Sequence, residues 1–215
     1  MKFLTAGGQQ NIKGAIESIE SGSAVEVVVA VRTRLARWPS AHVAIGLLAA
    51  IGMLAFTLYS DELEFDYWQI IILPVLVGMV FGLAVELVPG VQRVLTAAGV
   101  RERSLRDASR AVFYDLGVHK TSGRTGVLVF VAVRDRRVAI VGDVAVVDAL
   151  GERVLASHAA MLAAEIPRGL TAVAAKLATL APVFGKPFPK RADDVDELAN
   201  AVHAVGRKPR QAVVR

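Results

Sequence analysis

Residues 41–59, AHVAIGLLAAIGMLAFTLY, and residues 68–88, WQIIILPVLVGMVFGLAVELV, decide how this chain is read. An α-helix rises about 1.5 Å per residue, so about 20 apolar residues match a hydrocarbon layer of about 30 Å. Each run is long enough to span such a layer, and Ser60–Tyr67 between them is too short to be a domain. The first run holds no charge after Arg37 and has His42 at its entrance; the second holds only Glu86, near its far end. Trp38, Tyr59, Tyr67 and Trp68 fall at the ends, where amphipathic rings favour headgroup depth. The pair predicts a transmembrane hairpin inserted into a soluble α/β domain. A buried hairpin of a soluble protein is the alternative, but a chain of this size has little material to wrap two such runs.

Basic residues are retained on the cytoplasmic side of a membrane. Arg32, Arg34 and Arg37 precede the first run, and Arg93, Arg101, Arg103 and Arg106 follow the second. The connecting loop carries Asp61, Glu62, Glu64 and Asp66 and no base. The expected topology therefore places both termini and the main domain in the cytoplasm of a bacterium, with the acidic loop outside the inner membrane. Glu86 is expected at the cytoplasmic interface, within reach of Arg93 or headgroup charge. Gly46 and Ala50 are four apart, as are Gly78 and Gly82, a spacing that lets helices approach closely in lipid within the hairpin or across a dimer. Pro74 is placed to bend the second span.

The chain has 215 residues and a formal net charge of +5. In a soluble protein such an excess suggests nucleic acid; beside membrane spans, topology and anionic lipid headgroups account for it, and no nucleic-acid partner is expected. The absence of cysteine excludes disulfides, thiol catalysis and thiolate-ligated metals. MKFLTAGGQQNIKGAIES lacks the sustained apolar core of a signal peptide, so the first span is expected to direct insertion.

Four regions are expected: 1–37, a helix and first strand; 38–89, the hairpin; 90–205, the remainder of the domain; and 206–215, a loose basic tail. Ile12, Ala15, Ile16 and Ile19 make one face of a helix over residues 8–21, with Lys13, Glu17 and Glu20 mostly elsewhere. Val25–Val31, VEVVVAV, has no polar alternation and reads as a central strand covered on both faces. Residues 91–116 follow a helical pattern that Gly99 can divide, and Gly117 is a C-cap candidate. In Gly117–Asp143, GVHKTSGRTGVLVFVAVRDRRVAIVGD, a loop leads to strands over Val127–Val133 and Val138–Val141. Arg134-Asp135-Arg136 joins these strands as an antiparallel hairpin. Residues 144–165 read as a helix, as do Leu170–Leu180; FGKPFPKRADD reads as an extended linker. Asp193 or Asp194 is expected to cap a last helix reaching about Val205, with Val195, Leu198, Ala199 and Val202 inside.

His42, His119, His158 and His203 have no ligand spacing. His119-Lys120-Thr121 matches only the end of a phosphate loop, and it precedes a strand where a P-loop would follow one. The candidate site is a cleft bordered by Glu26, Asp143 and Lys120–Arg124. In it Glu26 and Asp143 serve as oxygen ligands for a divalent cation, calcium or magnesium, while Lys120, Thr121 and Arg124 hold phosphate. The competing readings make Asp143 a cap for the following backbone and Glu26 a strand-end charge reaching solvent.

The opening helix, Ser23-x-x-Glu26, the helix reaching Phe113 and Leu116, Gly126-Val127-Leu128, Asp135-Arg136-Arg137, Gly142-Asp143 and FPKRADDVDELANAV occur together in one order. In this they resemble the TPM domain, a family with thylakoid-lumen, photosystem-repair and nematode membrane members. The resemblance covers nearly all of the chain except the hairpin and tail. It implies a compact α/β/α sandwich with a mixed sheet. It also implies weak acid-phosphatase activity and divalent-cation binding, as attributed to some members, with Asp143 the best carry-over and Glu26 next. The inserted hairpin departs from the family pattern.

The expectation is thus a membrane-anchored cytoplasmic module that binds a membrane-protein partner, forms a homo-oligomer or supports a membrane assembly. The alternative is a weak cation-dependent phosphatase acting on a phosphoprotein or small ester, with catalytic candidates Asp143, Glu26 and Arg124. An oligomeric channel is a third possibility.

Overall fold

Strand β1 (Glu26–Arg32) lies inside the sheet because neither of its faces is polar. A computed structural model describes residues 3–35, 39–60, 63–84, 98–190, 197–198 and 201–206. In chain order the remaining elements are α1 (Ala6–Glu20), α2 (Pro39–Tyr59), α3 (Tyr67–Ala84), α4 (Ala98–Asp115), β2 (Gly126–Ala132), β3 (Arg137–Gly142), α5 (Val144–Leu150), α6 (Glu152–Glu165), α7 (Leu170–Ala178), α8 (Ala181–Gly185) and β4 (Val202–Ala204). Two compact units result, residues 1–35 with 103–215 and residues 36–102.

In the first unit the sheet order is β3-β2-β1-β4. β1 runs parallel to both β2 and β4, while β2 and β3 form the antiparallel hairpin. Successive strand residues point to opposite faces. Val27, Val29, Val31, Val127, Val129 and Val131 therefore join one core, with Ile12, Ile16 and Ile19 of α1, Leu155 and Leu162 of α6, and Val173 and Leu177 of α7. Val28, Ala30, Leu128, Phe130 and Ala132 join the other, with Leu105, Val112 and Phe113 of α4. Helices on both faces explain why β1 and β2 are apolar without alternation, and the mixed α/β sheet with surrounding helices is as expected.

The helix expected over 144–165 is two helices, because Gly151 adopts φ +81° between α5 and α6. Described from Ala98, α4 runs through Gly99 without a break. Glu20, read from periodicity as mostly off the apolar face, is buried and accepts the Val27 N–H at 3.0 Å. The expected linker is only partly extended: Phe184 and Gly185 belong to α8, and Ala24 N–H donates to Phe188 O at 2.9 Å.

The last helix is also corrected. Val202–Ala204 is a strand on β1, and Val205 N–H donates to Val31 O at 3.0 Å. Val202 packs with the first core and Val205 with the second. Three residues apart, they reach opposite faces only on extended backbone, and pairing satisfies polar groups on the β1 edge.

The second unit holds α2 and α3, both long and apolar enough to cross a membrane. They meet through small residues: a Cβ on Gly46 would lie 2.8 Å from Gly78 O, and one on Gly82 would lie 3.2 Å from His42 O. The Gly46 and Gly78 spacings thus serve the pairing of α2 with α3 inside the hairpin. His42 Nδ1 donates to Gly82 O at 2.9 Å across the same contact. At the other end Asp66 N–H donates to Gln69 Oε1 at 2.9 Å, half of a capping box that starts α3. α3 continues through Pro74. Large side chains face outward, with Leu47 59% and Val75 65% exposed. A soluble protein does not display such a surface, so the buried-hairpin alternative has no support.

Trp38, Arg37, Asp61, Glu62, Glu86, Arg93, Asp193, Asp194, Val195, Ala199 and the tail from Arg207 lie outside the described residues, so the expectations placed on them are not addressed by this structure.

Candidate functional site

Register brings the sequence candidates to one end of the sheet. Glu26 lies opposite Gly126 on the parallel neighbour, and Val127 lies opposite Gly142. Asp143 N–H donates to Gly126 O at 2.8 Å. With strands about 4.8 Å apart, the Glu26 and Asp143 backbones stand roughly 10 Å apart across β2.

Residues 117–125 approach this edge from α4. Gly117 adopts φ +70° after the helix, and a short 3₁₀ turn over Val118–Lys120 follows. Thr121 is buried, and its hydroxyl accepts the N–H groups of Thr125 and Gly126, each at 3.1 Å. Its role is to fold the loop, so its oxygen is engaged by the backbone. Gly126 admits no side chain, since a Cβ would come within 2.0 Å of Val118 O.

Arg124 adopts φ +53°. Its Nε stands 3.2 Å from Asp143 Oδ2, and its Nη1 donates to His119 O at 3.1 Å. Asp143 is buried at the start of α5, where Oδ1 accepts the Val144 N–H at 2.8 Å. The structure thus joins Asp143 to Arg124 and gives the carboxylate the backbone role weighed against a ligand role. Glu26 is buried too, so it does not reach solvent, and its Oε2 accepts the Leu198 N–H at 3.2 Å. Lys120 is exposed on the same loop.

Two further residues were not singled out by the sequence. The Glu197 carboxylate accepts both the N–H of Ser122, at 2.8 Å, and the Ser122 hydroxyl. Those bonds, the hydroxyl's first, hold its carboxyl below the usual range. Glu20 lies nearby in the fold through its bond to Val27, next to Glu26. The sequence carries no local signal for either, because each bond depends on where folding places a backbone N–H, seven residues on for Glu20 and 75 residues back for Glu197.

A calcium ion takes six to eight oxygens. Among the described residues no three histidine or acidic side chains gather to hold a metal. Asp143 and Glu26 each already accept a backbone N–H, and a positive guanidinium stands beside Asp143. As arranged, this donor set does not fit a divalent cation. What it does offer is hydrogen-bond donors and positive charge on a loop beside two buried carboxylates.

Neither a family model nor a curated protein matches the chain. Among solved structures, the chain is similar to the NMR structure of the BA42 protein from the psychrophilic bacterium Bizionia argentinensis, with 18% identity and a TM-score of 0.56. The match covers 94% of this chain and 96% of that one. At that identity the likeness shows the fold alone.

Proposed function

We propose that the chain is a membrane-anchored module of TPM type. Its α/β unit stands on the cytoplasmic side of a bacterial inner membrane and binds a protein partner or supports a membrane assembly. The observation that carries this reading is the hairpin: α2 and α3 use their glycines on one another and turn large apolar side chains outward. Lipid, a membrane protein or a second hairpin are the surroundings that remove such side chains from water. The arginines flanking the hairpin in sequence support the cytoplasmic orientation.

Because the chain has no cysteine, single introduced thiols report topology without background. Leu63→Cys should react with a membrane-impermeant maleimide on intact cells, and Lys186→Cys only after permeabilisation. Recovery of the chain in the alkaline-washed soluble fraction, or the reverse labelling pattern, would defeat the reading. A stoichiometric protein retained through mild solubilisation identifies the partner.

The meeting of Arg124 with Asp143 beside buried Glu26 favours one second reading, a phosphatase acting on a phosphoprotein or small phosphate ester. In it Arg124 binds the phosphoryl oxygens and Asp143 orients Arg124. Hydrolysis by the wild type with calcium or magnesium supplied, lost in Asp143→Asn without loss of folding, supports it. No hydrolysis in either protein removes it.

A further inference from the structure

We propose that the turn joining β2 to β3, with the end of β1 beside it, is a docking surface for anionic lipid headgroups. The inference rests on the membrane-anchored reading above and names the membrane component that the α/β unit itself holds.

Backbone pairing builds the surface. β1 and β2 run on together past their ends: Val133 N–H donates to Arg32 O at 3.0 Å, and Arg134 N–H to Thr33 O at 2.9 Å. Asp135 Oδ2 accepts the Leu35 N–H at 2.8 Å. These bonds gather Arg32, Arg34, Arg134, Arg136 and Arg137 at one end of the sheet. Asp135 is the one acid among residues 32–35 and 133–137, which carry a net charge of +4. It is buried, so this end shows arginine to its surroundings. Arg134 and Arg136 are exposed, and among the described residues neither is paired with an acid. The carboxylates Glu20, Glu26, Asp143 and Glu197 stand at the opposite end.

Two further facts set this turn apart from an ordinary connection. Arg136 adopts φ +50°, a conformation that Gly or Asn takes at lower cost, so folding of the turn gives no reason for an arginine there. Arg32 Nη2 donates to Gly206 O at 3.0 Å. The sequence that follows Gly206 carries Arg207, Lys208, Arg210 and Arg215 and no acid.

Tether length and charge select lipid as the occupant. Only residues 36–38 separate Leu35 from Pro39, where α2 begins. At about 3.5 Å per residue, so short a tether keeps this end of the sheet close to the bilayer that takes up α2. Closeness matters, because attraction to an anionic surface fades over a Debye length of about 8 Å. A phosphodiester headgroup carries one negative charge, and a guanidinium fork binds two phosphate oxygens at once. Each arginine held at such a surface favours the docked state about fivefold.

The test places the full chain in lipid nanodiscs, one set of phosphatidylcholine and one an equal mixture with phosphatidylglycerol. A nitroxide on the headgroup is read through the amide resonances of Val133–Arg137. Relaxation there should be stronger in the anionic discs, and high salt should erase the difference. Arg134→Gln combined with Arg136→Gln should lower the docked-to-undocked ratio more than about tenfold. Arg153→Gln, at an exposed position on α6, should leave it unchanged. A second nitroxide, in the acyl chain, reads Leu47 and Val75. No broadening there defeats the membrane reading and this inference with it. Broadening there, with equal relaxation of the turn in both discs or in the double variant, overturns the docking surface alone. A turn that responds to single-stranded RNA or inorganic phosphate but not to the anionic discs overturns it as well.

Discussion

Gly46 and Gly78 face each other across α2 and α3 so closely that a Cβ on either would lie 2.8 Å from the other's carbonyl oxygen. In lipid, apolar burial gives helices little reason to associate, and backbone approach through small residues replaces it. The same contact carries the bond from His42 Nδ1 to Gly82 O.

Gly46→Val should therefore separate the helices locally and lower thermal stability in micelles by about 1–3 kcal/mol. Gly52 has nothing within 4 Å of its added Cβ, so Gly52→Ala should be neutral or stabilise by up to about 1 kcal/mol through helix propensity. Equal losses at the two positions would mean that the helices do not meet at Gly46.

Asp135 is buried in the β2–β3 turn, and its Oδ2 accepts the Leu35 N–H at 2.8 Å. That bond fixes the backbone just past the end of β1. Asp135→Ala leaves a buried donor unmet and should cost about 1–3 kcal/mol in denaturant unfolding of the full chain. Asp135→Asn keeps an acceptor and should cost less. The reverse order would show that charge, not the hydrogen bond, is what Asp135 supplies.

Gly126→Ala places a methyl 2.0 Å from Val118 O, a clash that only backbone movement relieves. Overpacking costs about 1–3 kcal/mol and at times more, and here the upper end is expected. Movement of Gly126 also shifts Asp143, whose N–H it accepts, so the amide resonances of Asp143 and Val144 should move with the loss of stability. Unchanged resonances at those two residues would disprove the coupling.

Burial lowers the basicity of His203 on β4. A histidine whose folded pKa is depressed binds fewer protons folded than unfolded, so stability is fully present above about pH 6.5 and is lost as pH falls toward the folded value. Glu197, also depressed, adds a loss at lower pH, as it approaches protonation. Intrinsic-rate-corrected amide exchange at Val205 should thus quicken as pH falls below about 6.5, and His203→Phe should flatten that first phase. An exchange profile rising with pH in this window would contradict the sign.

Several elements were readable from local pattern alone. The unbroken valines of β1 and β2 announced strands covered on both faces, and the isoleucines of α1 announced the helix that covers one of them. Glu20 and Val202 show where that reading fails. Periodicity left Glu20 mostly off the apolar face, yet a backbone N–H on β1 draws it in; periodicity drew Val202 into a helix, yet the open edge of β1 takes it as a strand. In both cases a hydrogen-bonding group on β1, seven residues from Glu20 but far along the chain from Val202, outweighed a local preference of a few tenths of a kcal/mol per residue. The candidate residues Asp143, Arg124 and Glu26 were found as types at strand ends, but their partners were not.

The sequence by itself determined that two long apolar helices interrupt an α/β unit and which strands have no polar face, because hydrophobic length and period are properties of consecutive residues. Only the tertiary structure decided that Gly46 meets Gly78, that Asp143 answers Arg124, and that Glu197 sits on Ser122. Those pairings depend on strand register and helix approach, which bring together residues between 19 and 75 positions apart.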